Sequence, residues 1–190
     1  MNATQIKKLY SIMKNSSTKI SIEFDGYYVH ITTGYWALEI TSMDWVALSQ
    51  LFEKDGMIIN PDEADSWIVE NMKKAYPGQG NWEAAEKIAK QQTEECSLSV
   101  MQDSHFTYAV TNGNIKVLYY INDEGKGISL VNEKYYQLTD FVNAIPYSIG
   151  GTAPLVLIDV KDNWKLKGII LPVKNDKIIQ AIQNLSQIIG

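Results

Sequence analysis

The chain has 190 residues, of which 45% are apolar and 21% charged, a composition that excludes a disordered tail or a low-complexity polymer. Acidic residues outnumber basic ones by 22 to 17 and give a net charge of −5, the wrong sign for a general nucleic-acid binder. All 17 bases are lysines, so the guanidinium fork that most often reads guanine is absent and sequence-specific DNA recognition is not expected.

A few features of the sequence predict the cellular compartment and the number of domains. The single cysteine, Cys96, cannot form an internal disulfide, so a reducing, cytoplasmic location is expected. The amino-terminal segment is amphipathic and lacks the uninterrupted apolar stretch of a secretory signal. No window approaches the roughly 18 to 20 apolar residues that a membrane span requires, so no membrane partner is predicted. We expect residues 1–190 to form a single domain.

The first half of the pattern, residues 3–52, predicts a helix, three strands and a second helix. Residues 3–14 place apolar side chains on one helical face and lysines on the remainder. Residues 19–40 alternate apolar and polar positions around breaks at glycines, which is typical of antiparallel strands. Capping residues at 41–44 then predict a helix that ends before Gly56.

Residues 57–95 are predicted to form a helical hairpin inserted between two strand-rich units. Asn60 is a candidate helix cap, and Pro61 suits a first helical turn that continues with acidic residues. This helix is expected to stop at Pro77. A second helix, WEAAEKIAKQQTEE, follows the loop PGQGN.

A second strand and helix pattern covers residues 105–174. Strands flank a turn at Asn112-Gly113 and, further on, a turn at Asp162-Asn163. Between these turns we expect a helix capped by Asn132 and then a loop, IPYSIGGTA. Residues 176–189 carry isoleucines and a leucine on one helical face and predict a C-terminal helix. The resulting fold class is α+β, with antiparallel sheets and two pseudo-repeated strand and helix halves.

Three segments of the second half carry a resemblance to a known family. They are IKVLYYINDEGKGISLV, then VNEKYYQLTDFVNAI, then APLVLIDVKDNWKLKGIILPVK. Together, residues 115–174 resemble half of one domain of the bacterial DNA sliding clamp, the ring that makes the replicative polymerase processive. The last segment is similar to the closing hairpin of the clamp, which ends in an aliphatic run, a proline and a basic residue.

This resemblance implies a non-enzymatic, clamp-like binding module. Two inner helices would face double-stranded DNA across a lysine-lined concavity, with Lys7, Lys8 and Lys14 on the first helix and Lys134 on the second. Such contacts are made to phosphate, are independent of base sequence and weaken steeply with salt. A replication-associated protein partner is implied by the same family.

The resemblance also implies a hydrophobic groove beside the last strand that captures a short peptide of a protein partner. By alignment of the proline, Ile169 and Leu171 fall on positions that line this groove. The helix predicted over residues 176–189 has no counterpart in the family pattern. If this helix packs over the groove, the groove is closed. Because one chain offers one clamp-like domain, encircling a duplex would take about six copies in closed symmetry, which makes a homo-oligomer one arrangement to test.

Two alternatives belong to other functional classes. One is a protein-interaction or immunity-type factor of a phage or other mobile element, which would use the acidic segment 57–95 and never touch DNA. The other is a hydrolase in which Glu23 and Asp25, two positions apart on one strand face, supply acid and base. For this carboxylate pair we favour an ordinary exposed sheet face with a turn-forming Asp25.

Recognisable catalytic and metal-binding motifs are missing from the sequence. HExxH, CxxC, GxSxG and GK[ST] do not occur, so we predict no metal, no cofactor and no enzymatic activity. His30 and His105 are interpreted as packed or surface residues. Cys96 follows two glutamates, which disfavour its thiolate, and is interpreted as unreactive. Aromatic residues in the strands are read as sheet packing rather than as a stacking platform for single-stranded nucleic acid.

Overall fold

The computed structural model describes residues 1–95, 98–110, 113–122 and 125–173. The helices are α1 (Ala3–Lys14), α2 (Ser42–Lys54), α3 (Trp82–Glu95), α4 (Glu133–Tyr136) and α5 (Leu138–Phe141). The strands are β1 (Lys19–Asp25), β2 (Tyr28–Thr32), β3 (Trp36–Thr41), β4 (Ser66–Glu70), β5 (Lys74–Pro77), β6 (Ser99–Val100), β7 (Gln102–Val110), β8 (Gly113–Asn122), β9 (Gly125–Asn132), β10 (Ile145–Ser148), β11 (Leu155–Asp159) and β12 (Lys165–Ile170). The predicted α+β class is confirmed. The predicted helix over 176–189, Cys96 and Asn112 lie outside the described residues.

Nine strands form one antiparallel sheet in the order β5-β4-β1-β2-β3-β12-β11-β10-β6. The two halves of the chain meet where β3 pairs with β12, with Gly168 opposite Leu38 and Ile170 opposite Trp36. Strand β3 is the last strand of one three-stranded meander, β1 to β3, and β12 is the last strand of another, β10 to β12. The strand order on one side of the β3–β12 pair therefore mirrors the order on the other side. Helical residues precede each meander, α1 before β1 and α4 with α5 before β10.

A smaller sheet of three strands, β7-β8-β9, packs beside the main one. Strands β7 and β8 are the hairpin predicted on either side of Asn112-Gly113. Leu118 and Val131 of this sheet join the main core, whereas Ile115 and Leu130 belong to a small separate core. Both faces of the small sheet are therefore apolar in part.

The prediction of a helical hairpin over residues 57–95 is wrong for its first helix. The second helix exists as α3, but the segment before it forms β4 and β5, and β4 extends the main sheet by pairing with β1. Trp67 and Val69 are buried while their neighbours are half-buried, which is the two-residue period of a strand. Asn71 and Met72 take φ angles of 54° and 51° in the connecting turn. Pairing with β1 overrides the local capping signals that favoured a helix.

The second half also departs from prediction at two places. The helix predicted after Asn132 is divided into the short segments α4 and α5, which meet at Gln137. The first four residues of the predicted loop IPYSIGGTA form β10, in which Tyr147 is buried. Pro146 lacks an N–H but its carbonyl accepts a hydrogen bond from the N–H of Met101 at 2.9 Å. A proline and two glycines indicated a loop, but burial of the tyrosine and pairing with β11 hold the segment in the sheet.

Helices cover both faces of the main sheet and create two cores. Four helices contribute to the larger core, whose fully buried members include Leu9, Met13, Leu48, Phe52 and Leu138. Helix α3 covers the other face, where Trp82, Ala85 and Ala89 pack against Ala37 and Ile169. None of the helices in the described part of the chain has the length and apolarity needed to cross a bilayer.

Candidate functional site

Charged side chains line up across the sheet face on which α3 packs. In the strand register, His30 of β2 lies between Glu23 of β1 and Glu39 of β3. The Glu39 side chain is only 6% exposed, and its carboxylate lies 2.9 Å from Lys165 Nζ, 3.1 Å from Lys167 Nζ and 3.3 Å from His30 Nε2. We call Glu39, His30, Lys165 and Lys167 the Glu39 cluster. It links β3 to β12 and therefore the two halves of the chain.

The Glu39 carboxylate is ionised at neutral pH. Burial by itself raises the pKa of Glu39, but the hydrogen bonds from His30, Lys165 and Lys167 outweigh burial and lower the pKa to about 2. For Lys165, burial lowers the pKa, and the contacts with Glu39 and Tyr28 reverse that effect and raise the pKa. The Lys165 ammonium lies 3.2 Å from the centre of the Tyr28 ring, a cation–π contact. Asp162 also pairs with Lys167, at 3.3 Å, so the two ammonium groups lie beside two carboxylates.

His30 connects this cluster to α3. Its imidazole stacks on the indole of Trp82, with ring centres 4.2 Å apart and planes within 4°. His30 Nδ1 is buried without a hydrogen-bond partner among the described residues, and Glu23 Oε1 lies 3.9 Å away. The indole N–H of Trp82 donates to Glu86 at 3.0 Å. The amino-terminal turn of α3 is therefore fixed to the sheet through Trp82.

An open groove of about 700 Å³ runs between α3 and the β11–β12 hairpin, and we call it the α3 groove. The hairpin contributes apolar side chains, Val156, Ile158, Trp164 and Leu166. Helix α3 contributes mainly charged and polar side chains to the opposite wall. An apolar floor with a charged wall and this volume are typical of a ligand-binding or peptide-binding cleft.

Trp164 stands at the α3 groove with 61% of its surface exposed, whereas the other four tryptophans are at most 5% exposed. It lies in the turn closed by the hydrogen bond from Lys165 N–H to the Asp162 carbonyl at 3.0 Å. The two central residues, Asn163 and Trp164, have φ angles of 52° and 60°, both positive as in a type I′ turn, in which asparagine and glycine are preferred.

A bulky residue in this left-handed conformation costs about 1 kcal/mol or more relative to glycine. Within the protein the Trp164 indole lies beside the Tyr147 ring, with ring centres 5.8 Å apart, but most of the Trp164 side chain is in solvent. A large apolar side chain that is exposed at a strained backbone position is a candidate for contact with another molecule. The turn at Asp162-Asn163 is confirmed, but its tryptophan was not recognised in the sequence as a site residue.

The four lysines predicted to contact DNA lie on helices of the opposite face. Lys7 and Lys8 are exposed on α1. Lys14 forms an ion pair of 2.5 Å with Asp55 of the segment after α2. Lys134 donates to a backbone carbonyl at the end of α1, at 2.8 Å. Two of the four are thus engaged within the protein, and contact of this set with DNA stays a prediction.

The two residues predicted to line a partner groove lie together, but beneath α3. Ile169 is buried in the core under that helix, and Leu171 is half-buried. Both line a pocket of about 220 Å³ that also includes Ala84, Ala85 and Ile88 of α3. This pocket and the α3 groove involve different side chains of the same helix. Peptide capture by Ile169 and Leu171 stays a prediction.

The remaining candidates are placed as follows. Glu23 faces His30, while Asp25 is exposed at the end of β1, so the two carboxylates have different surroundings. His30 is a packed residue, and His105 is an exposed one on β7. Within the described ranges, no group of three or more histidine, cysteine, aspartate or glutamate side chains is arranged to hold a metal ion.

No protein family model matches the chain, and no curated protein matches it with significance. The clamp resemblance of residues 115–174 therefore stays a prediction. The functional proposal rests on the geometry of the α3 groove and Trp164.

Proposed function

We propose that this protein is a non-enzymatic binding module that recognises a protein partner through the α3 groove. The observation that carries the proposal is Trp164, a tryptophan exposed at an apolar groove in a backbone conformation that favours glycine. Tryptophan is one of the three residue types enriched at the energetic centre of protein interfaces. The apolar side chains beside it, Val156, Ile158 and Leu166, provide the surface on which a partner side chain would be desolvated.

A protein partner fits this groove better than a nucleic acid does. Its floor is apolar, and its charged wall carries glutamates as well as lysines, so a phosphate backbone would meet no continuous positive surface. The chain as a whole has a net charge of −5. A second candidate, sequence-independent contact with double-stranded DNA, is favoured by the exposure of Lys7 and Lys8 on α1.

The setting of this interaction is proposed from the sequence. The clamp resemblance favours a replication-associated partner, and the strand order mirrored about the β3–β12 pair supports that choice. An immunity-type partner of a phage or other mobile element is the alternative. One cysteine in 190 residues favours a cytoplasmic location.

Site-specific photo-crosslinking in cells of the source organism tests the proposal. With a photoreactive amino acid in place of Trp164, we expect one discrete protein adduct, because residue 164 would lie inside the interface. Tyr27, which is 85% exposed at the turn between β1 and β2, is the matched control position and should give no adduct with that protein. Equal yields from both positions, or no adduct from position 164, would contradict the proposal.

A further inference from the structure

The floor of the α3 groove belongs to strands whose backbone is already paired on both sides. Strand β11 pairs with β10 and with β12, and β12 pairs with β11 along its length and with β3 at Gly168 to Ile170. An occupant that lies on Val156 and Ile158 therefore finds no free strand edge there, among the described residues, to which its own N–H and C=O groups can bond. In a groove with an apolar floor, a segment that satisfies its backbone internally is favoured over an extended one, and that segment is an α-helix.

The charges along the α3 wall are ordered. Glu83 and Glu86 lie in the first half of the wall, and Lys87 and Lys90 follow toward the carboxyl end of the helix. The wall from Glu83 to Thr93 is about 15 Å long at the rise of an α-helix, which matches about three turns of a second helix. A partner lying along α3 therefore needs a basic side chain beside Glu83 and an acidic one beside Lys87.

The direction of the partner follows from the helix dipole. Acidic residues are favourable near the start of a helix and basic residues near its end. A helix antiparallel to α3 brings its basic end beside Glu83 and its acidic start beside Lys87, so charge pairing and dipole agree. In a parallel helix the two requirements conflict.

We infer that the partner binds the α3 groove as an amphipathic α-helix of about three turns, antiparallel to α3, acidic in its first half and basic in its second. This inference rests on the proposed function, since it names the partner segment for the same groove. The apolar stripe of that helix would lie on Val156, Ile158 and Leu166 and against the Trp164 indole.

Titration with designed peptides tests the inference, with tryptophan fluorescence as the readout. Trp164 is the exposed tryptophan among five, so burial of its indole should shift the emission to the blue. The probe is a peptide of about 16 residues with an apolar stripe at helical spacing, acidic first and basic last. We expect a saturable blue shift with this peptide and none with a Trp164→Gly chain.

Charge exchange makes the test specific. A chain with Glu83→Lys and Lys87→Glu should bind the peptide roughly fivefold more weakly or worse. A peptide with its acidic and basic halves exchanged should restore that affinity. Unchanged affinity in the exchanged chain overturns the inference.

Further controls address other occupants of the groove. A peptide with alternating apolar residues, the pattern of a strand, is the first control, and binding equal to that of the striped peptide overturns the inference. A blue shift that appears on raising the protein concentration without any peptide also overturns it, because the groove would then bind a second copy of the chain. If position 164 crosslinks a partner but the striped peptide causes no shift, this inference fails and the proposed function stands. If position 164 gives no crosslink either, both fail.

Discussion

Replacing Glu39 with glutamine is expected to lower the free energy of unfolding by about 3 kcal/mol at pH 7. The substitution leaves the Lys165 and Lys167 ammonium groups, 2.9 and 3.1 Å from the carboxylate, facing a neutral amide in a largely buried site. The same magnitude follows from the pKa, which is about 2 in the folded chain against an ordinary 4.5, a difference of about 3 kcal/mol between the two protonation states. Chemical denaturation monitored by circular dichroism measures the effect.

The pH dependence of this substitution has a definite sign. Because the folded-state pKa of Glu39 is depressed, its carboxylate stabilises the fold fully above pH 4.5, and that contribution is lost as pH falls toward 2. The difference in free energy of unfolding between the wild-type and Glu39→Gln chains should therefore be largest at neutral pH and decrease progressively below pH 4.5. Glu53→Gln, at an exposed position of α2, is the matched control and should change little. If this difference is small at pH 7, or increases in acid, the Glu39 cluster does not stabilise the fold as described.

Replacing Gly168 with alanine should destabilise the chain by about 2–3 kcal/mol. A Cβ at this position would collide with the backbone carbonyl oxygen of Ala37 and crowd the Cα of Leu38. These are backbone atoms of β3, the strand that joins the two halves of the sheet through β12. They move only if the strands separate, so the strain falls on the junction itself.

Thermal unfolding compares this variant with a matched one. Gly34→Ala adds the same methyl group where the nearest atom, Ser17 Oγ, is 4.0 Å away, and should unfold close to the wild-type temperature. Gly168→Ala should unfold roughly 5–10 °C lower. Equal melting temperatures for the two variants would mean that β3 and β12 are less closely packed than the structure has them.

Local patterns were sufficient to predict the elements that are defined by short-range signals. The apolar spacing of α1 and the alternation of β1 to β3 are such signals. Strand β4 shows where they fail, because Pro61 and neighbouring acidic residues indicate a helix, while pairing with β1 decides the structure. That pairing joins residues about 45 positions apart, and no local pattern contains it.

The candidate site was less accessible from sequence for the same reason. Glu39 is unremarkable in a strand until β12 brings Lys165 and Lys167 to it from more than 120 positions away. Trp164 did offer a signal, since it occupies the place in an Asn-containing turn where glycine is preferred. That signal acquires a meaning only once the turn is found beside an apolar groove.

The central claim is tested most directly by measuring how tightly a Trp164→Gly chain binds the partner. The partner is the protein identified by crosslinking from position 164. Glycine suits the left-handed backbone at this turn, so the free energy of unfolding should stay within about 1 kcal/mol of wild type. The dissociation constant should nevertheless rise about tenfold or more, as for an interface residue that carries much of the binding energy. An unchanged dissociation constant would contradict the account, because Trp164 would then be exposed at the α3 groove without contributing to recognition.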